Sequence, residues 1–168
     1  APDYEHLLRV GLPGMIGEID ASLQVHRNEP GKVVTLSAMK KTLCGFSEMI
    51  RKYMLQAEAL MSSPDFNKER LQFIANNCHA IVVGPPKTFA QALQLVWFCH
   101  NAFVMEGRYA MALGRMDKYL YPFYKSDIEK CIITDEEVVE LLENVFIRLQ
   151  NDIVNICIGG QNINRECD

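Results

Sequence analysis

Two dipeptides, Cys78-His79 and Cys99-His100, set a thiol next to an imidazole. Such a pair suggests a metal site or a nucleophile with its base, and both chemistries need side chains that converge. Neighbours on a helix project about 100° apart, so neither dipeptide chelates well. Packed thiols beside half-buried imidazoles are the simpler reading. Gly159-Gly160-Gln161-Asn162 follows an apolar run. It lacks the Gly-x-Gly-x-x-Gly spacing of a phosphate loop and no helix follows it in view, so a tight turn fits better. The most unusual stretch is Glu106 to Asp117. If it is extended, Arg108, Ala110 and Ala112 share one face, and Tyr109, Met111 and Leu113 share the other. Two small residues on one face leave room for something, and a guanidinium binds a carboxylate bidentately. The competing readings are a buried crossover packed on a helix and, for Arg108, a plain salt bridge.

The elements that would position these residues are mostly helices. The first runs from about Asp3 to Val25, with Leu7, Leu8, Leu12, Ile16, Ile19 and Leu23 spaced by helical steps. Gly11, Pro13, Gly14 and Gly17 predict a kink or a break inside it. Asn28-Glu29-Pro30-Gly31 is a turn. A long helix, about Val33 to Met61, keeps Leu36, Met39, Leu43, Phe46, Ile50, Tyr53, Ala57 and Leu60 on one stripe. Another spans about Asn67 to Val82, and Gly84-Pro85-Pro86-Lys87 is a stiff break. Thr88 with Gln91 reads as a capping box opening a helix to Met105. That helix is apolar nearly all round, so it is expected to be buried, with Trp97 inside. Glu106 to Leu113 is expected as a short strand, and Arg115 to Lys130 as a helix despite Pro122. Thr134 and Glu137 form a second capping box, with acids in the first turn matching the helix dipole. Ile153 to Ile158 is β-rich. A lone strand is not stable, and its partners are expected outside this chain.

Bulk properties narrow the function classes. The 168 residues suffice for one domain with a core. With 49% hydrophobic and 23% charged residues the composition is that of an ordinary globular protein. The formal charge is −4, no basic stripe is visible, and a nucleic acid partner is not expected. Thr88 to Met105 is an uncharged run of 18 residues, but Gln91, Gln94, His100 and Asn101 mark a buried helix rather than a membrane span. The start, Ala-Pro-Asp-Tyr-Glu, carries no signal peptide and no initiator methionine, and reads as a cut or processed end. Cys44, Cys78, Cys99, Cys131, Cys157 and Cys167 form no Cys-x-x-Cys pair, which points to a reducing, cytoplasmic setting.

Several long motifs then occur in one order. Ala112-Leu113-Gly114-Arg115-Met116-Asp117-Lys118-Tyr119-Leu120-Tyr121-Pro122-Phe123-Tyr124 resembles the S-F-G-R-x-D-Q-Y-x-Y-P-[FY]-Y segment of the glycyl radical enzymes of the pyruvate formate-lyase type. Pro85 to Gln94 with Trp97-Phe98-x-His100 resembles their P-x-x-T-F-x-E-A-[LI]-Q-x-x-W-F-x-H helix. Asp3-Tyr4-Glu5 with Gly11-Leu12-x-Gly14 is similar to their start, and Ile158-Gly159-Gly160-Gln161-Asn162 to a strand-turn before their D-A-x-N segment. The resemblance covers essentially the whole chain.

The resemblance implies a ten-stranded α/β barrel made of two half-barrels and wrapped in helices. Residues 1–168 would be a partial domain, mainly α with one or two short strands, supplying outer helices and the first barrel strands. Catalysis in the family uses a glycyl radical near the C-terminus and a cysteine on a loop inside the barrel. A separate radical-SAM activating enzyme with an iron–sulfur cluster installs the radical. The cysteine sits in a G-C-x-E or C-C context and the glycine in R-V-[AS]-G-[YF]. Neither motif occurs here, so no catalytic residue, metal ligand or cofactor is assigned to this chain, and all six cysteines are read as structural. Arg108, Ala110 and Ala112 are the substrate-facing candidates. Ala112 stands where the family often has a substrate-facing serine, and an alanine cannot orient a polar group by hydrogen bonding. The expected parent is a homodimeric carbon–carbon lyase or dehydratase of anaerobic metabolism, acting on a small polar molecule, related to the formate acetyltransferases and inactive as this piece alone. The alternative is a non-catalytic helical interaction or scaffold module of shared ancestry.

Overall fold

The computed structural model describes residues 2–108, 110–150 and 154–159. The chain is mainly helical: α1 (Tyr4–Val25), α2 (Pro30–Leu60), α3 (Lys68–Val83), α4 (Phe89–Met105), β1 (Gly114–Arg115), α5 (Met116–Glu129), α6 (Asp135–Leu149) and β2 (Ile156–Cys157). These group into two compact units, His6–Pro86 and the remainder, Ala1–Glu5 with Lys87–Asp168.

In the His6–Pro86 unit, α1 breaks where expected. Gly11 has φ 68° and ψ 176°, a left-handed conformation that interrupts the helical path. Pro13 follows at once, in the first turn of the resumed helix, where its missing N–H is no loss. The stiff Gly84-Pro85 segment lies against this break: a Cβ on Gly11 would stand 2.7 Å from the Pro85 nitrogen and 2.9 Å from the Gly84 carbonyl carbon. Lys40 of α2 donates to Asp20 of α1 at 2.6 Å. The predicted stripe of α2 is present but unevenly buried. Ile50 and Ala57 are its buried members, against α3, while Met39 and Tyr53 of the same stripe are about half exposed. The helix α3 starts on an Asn67 cap, whose side chain accepts from the Arg70 amide, and buries Ala75, Cys78, Ile81 and Val82.

In the other unit, α4 is the most apolar helix and packs on α5 and α6. Phe89, Ala92, Leu93, Leu95, Val96, Phe98 and His100 are buried. Trp97 is only half-buried, with its ring 5.6 Å from that of His100. The Thr88 side chain caps the Gln91 amide at 3.3 Å, but the Gln91 side chain reaches back one residue further, to the Lys87 amide at 2.8 Å. A second acceptor serves this helix start. Asp127 of α5, fully buried, takes the Phe89 amide at 2.7 Å, setting a carboxylate at the positive end of α4. The Thr134–Glu137 capping box of α6 is complete in both directions.

Two strand expectations change. Glu106 to Leu113 is not the strand, because Glu106-Gly107-Arg108 closes α4. The Gly107 amide donates to Val104 and the Arg108 amide to Phe103, with Gly107 at φ 75°, the two bonds of a Schellman motif. The strand instead starts at Gly114. Its partner lies within the chain: β1 pairs in parallel with β2, Gly114 opposite Ile156 and Arg115 opposite Cys157, and the Leu113 amide adds a bond to Asn155 at 3.0 Å. The α5–α6 pair forms the crossover between them, as parallel strands require.

Replacing Gly11 by alanine should destabilise the protein by about 2–4 kcal/mol, since it combines left-handed strain with a main-chain clash. Urea unfolding of Gly11→Ala measures this; a loss below about 0.5 kcal/mol would show that the Gly84-Pro85 segment yields freely.

Candidate functional site

The cysteine–histidine pairs separate as helix geometry demands. Cys78 is fully buried while His79 is exposed, and Cys99 is half-buried beside a buried His100. Burial pushes the Cys78 and Cys99 thiols up to about 11, away from the thiolate a nucleophile needs. Cys44, Cys131 and Cys157 are exposed, and Cys167 lies outside the described residues. Among the described residues no three His, Cys, Asp or Glu side chains gather as a metal site would need. No described helix is long and apolar enough to cross a membrane.

The Glu106–Asp117 stretch divides into three parts. Arg108 is exposed and its main chain belongs to the α4 cap. Ala110 is exposed at a bend, Ala112 is half-buried, and Leu113 is buried. A strand ladder therefore does not group Arg108, Ala110 and Ala112; Ala112 alone adjoins the ladder, and Tyr109 lies outside the described residues. Beyond Leu113 the chain tightens. Gly114 has φ 68°, the Tyr119 hydroxyl donates to the Leu113 carbonyl at 3.0 Å, and Tyr119 stacks at 5.3 Å on Tyr4. Burial raises both tyrosine hydroxyls far above the ordinary range, so each stays protonated. A groove of about 210 Å³ opens here, lined in part by Asp3, Tyr4, Leu113, Arg115 and Tyr119.

Arg115 and Asp117 form the main electrostatic feature. Arg115 donates Nε to Asp117 Oδ1 at 2.9 Å and Nη2 to Oδ2 at 2.9 Å. The same Oδ2 accepts the Gly159 amide at 2.8 Å. The Arg115 fork, helped by the Gly159 and Lys118 amides, holds the Asp117 carboxyl down at about 2, against the opposing effect of partial burial. The sequence reading passed over this interaction. Its signal is an Arg-x-Asp at a strand-to-helix junction, where an acid in the first helical turn is favoured. Of Gly159-Gly160-Gln161-Asn162, Gly159 sits at a bend with φ 69°, and the other three, with the expected turn, lie outside the described residues.

The model of the family "Pyruvate formate lyase-like" matches residues 1–167. The chain belongs to the pyruvate formate lyase-like family. It is 30% identical over 163 residues to (2S)-3-sulfopropanediol dehydratase of Klebsiella oxytoca, covering 90% of this chain and 19% of that protein. It is 28% identical over 191 residues to the 4-hydroxyphenylacetate decarboxylase glycyl radical subunit of Clostridium scatologenes, covering 95% of this chain and 21% of that protein. The crystal structure of a glycyl radical enzyme from Archaeoglobus fulgidus superposes with a TM-score of 0.91 at 27% identity, covering 99% of this chain and 25% of that one. This pyruvate formate lyase-like chain thus spans about a fifth of these curated relatives and a quarter of the solved neighbour. It resembles part of glycyl radical dehydratases and lyases.

Asp117 supplies a pH test. Its carboxyl is lowered in the folded state, so its stabilisation is present above the ordinary carboxylate range and is lost as pH falls from about 4 toward 2. Asp117→Asn should cost roughly 1–2 kcal/mol at pH 7, the carboxylate being partly solvated, and the difference from wild type should vanish near pH 2. Denaturation at several pH values measures it; a gap that persists unchanged at pH 2 would contradict the assignment.

Proposed function

We propose that residues 1–168 are part of a longer glycyl radical enzyme, a carbon–carbon lyase or dehydratase acting on a small polar molecule. In this reading the chain is a partial pyruvate formate lyase-like domain, its outer helices and first strands contributing to a ten-stranded barrel, while the reacting cysteine and glycine belong to regions beyond it. The observation that supports this best is the family match along 1–167, joined to relatives four to five times longer that include dehydratases and a decarboxylase. The parent works as a cytoplasmic homodimer of anaerobic metabolism, and its radical is installed by a radical-SAM iron–sulfur activating enzyme. The piece alone is inactive.

This chain's contribution at the site is a wall. Ala112, with Ala110, faces the parent's cavity and makes room without offering a hydroxyl, so substrate orientation depends on other groups. Arg108, whose side chain is exposed, binds an anionic substrate group.

Two outcomes are expected. The 168-residue chain, mixed with an activating enzyme and its reductant, should give no glycyl radical doublet by electron paramagnetic resonance; a doublet would overturn its inactivity. In the complete enzyme, Ala112→Leu should raise KM by about tenfold or more, or abolish turnover, without unfolding the protein. Unchanged kinetics would remove Ala112 from the cavity wall.

A further inference from the structure

Asp117 stands where three elements of one compact unit meet. It lies in the first turn of α5, its fork partner Arg115 is the last residue of β1, and its amide partner Gly159 follows β2 by two residues. Because β1 and β2 run parallel, both strands end at the same edge, and the carboxyl edge of parallel strands is where α/β folds build their sites. Among the described residues the ladder behind that edge has two residue pairs and the one further bond from the Leu113 amide. Few main-chain bonds therefore set the register of the strand that follows Ala112.

The contacts of the carboxylate fit a latch. Oδ2 is shared between Arg115 Nη2 at 2.9 Å and the Gly159 amide at 2.8 Å, while Oδ1 takes Arg115 Nε at 2.9 Å. A charged acceptor makes each of these bonds stronger than a neutral one. Gly159 is suited to its end of the latch by backbone angle rather than by space. Its φ of 69° is left-handed, yet among the described residues no atom lies within 4 Å of where a Cβ would stand. The Nε and Nη2 edge of Arg115 is directed at Asp117.

We propose that Asp117 is a positioning residue: its carboxylate fixes the Gly159 amide to the end of β1 and so holds the register of the strand entered through Ala112. The functional half of this proposal rests on the reading of Ala112 as cavity wall; the latch itself does not.

Hydrogen–deuterium exchange of the complete protein, followed by peptides, tests the latch directly. Asp117→Ala should speed exchange in the 154–159 peptide by about tenfold or more and leave α4 and α6 unchanged. Asp117→Asn, which keeps one acceptor oxygen but loses the charge, should give a smaller increase in the same peptide. If the alanine variant speeds exchange throughout, the asparagine variant decides. Unchanged exchange at 154–159 in Asp117→Asn, with the protein folded, would overturn the latch. Steady-state kinetics then test the function: Asp117→Asn should raise KM by about fivefold or more with kcat within about twofold of wild type. Faster exchange with an unchanged KM would reduce Asp117 to a structural contact and overturn the positioning role. A raised KM for Asp117→Asn beside wild-type kinetics for Ala112→Leu would sustain the latch and overturn the wall reading.

Discussion

An α-helix leaves its first amides and last carbonyls without partners, and the architecture of this chain follows from how those groups are met. Asn67, Thr88 and Thr134 each place a side-chain oxygen over the first turn of a helix. At the start of α4 the demand exceeds what Thr88 supplies, and Asp127 comes from α5 to take the Phe89 amide. One hydrogen bond thus both completes a helix and fixes where α5 must lie against it. At the other end, Gly107 folds the last carbonyls of α4 back on the Gly107 and Arg108 amides, which sends the chain toward β1.

Those local devices explain what was legible. The break at Gly11, the caps at Thr88 and Thr134, and the order of helices follow from residue types within a few positions of each other. The glycyl radical family resemblance was legible for a similar reason, since its motifs are runs of adjacent residues. What escaped depended on distant partners or on the competition between two local rules. Glu106 to Leu113 alternates like a strand, but Gly107 after an apolar helix is also a helix stop, and closing α4 satisfies more main-chain groups than an unpaired strand would. The β1–β2 pairing is not legible because no periodic signal marks Gly114-Arg115, two residues whose pairing rests on the α5–α6 crossover.

The site shows the same division. Sequence singled out Arg108, Ala110 and Ala112 by alternation, whereas the described geometry keeps only Ala112 next to the ladder. It passed over Asp117, although Arg-x-Asp is written plainly, because a bidentate pair two residues apart forms only when a turn from strand to helix brings the two side chains to one side. Gly159, the third member, is 42 positions away from Asp117, and nothing in the intervening residues announces that bond.

That separation bears on how the chain folds. Turns of α4, α5 and α6 form from neighbours in sequence, on a timescale of roughly a microsecond or less. The β1–β2 ladder must instead close a loop of some forty residues before its first bond forms, and its short length returns little for that entropy. The strands therefore join late, after the crossover helices have formed and carried their ends together. The Gly159 bend that follows β2 is thereby ordered by a step that the helices complete beforehand.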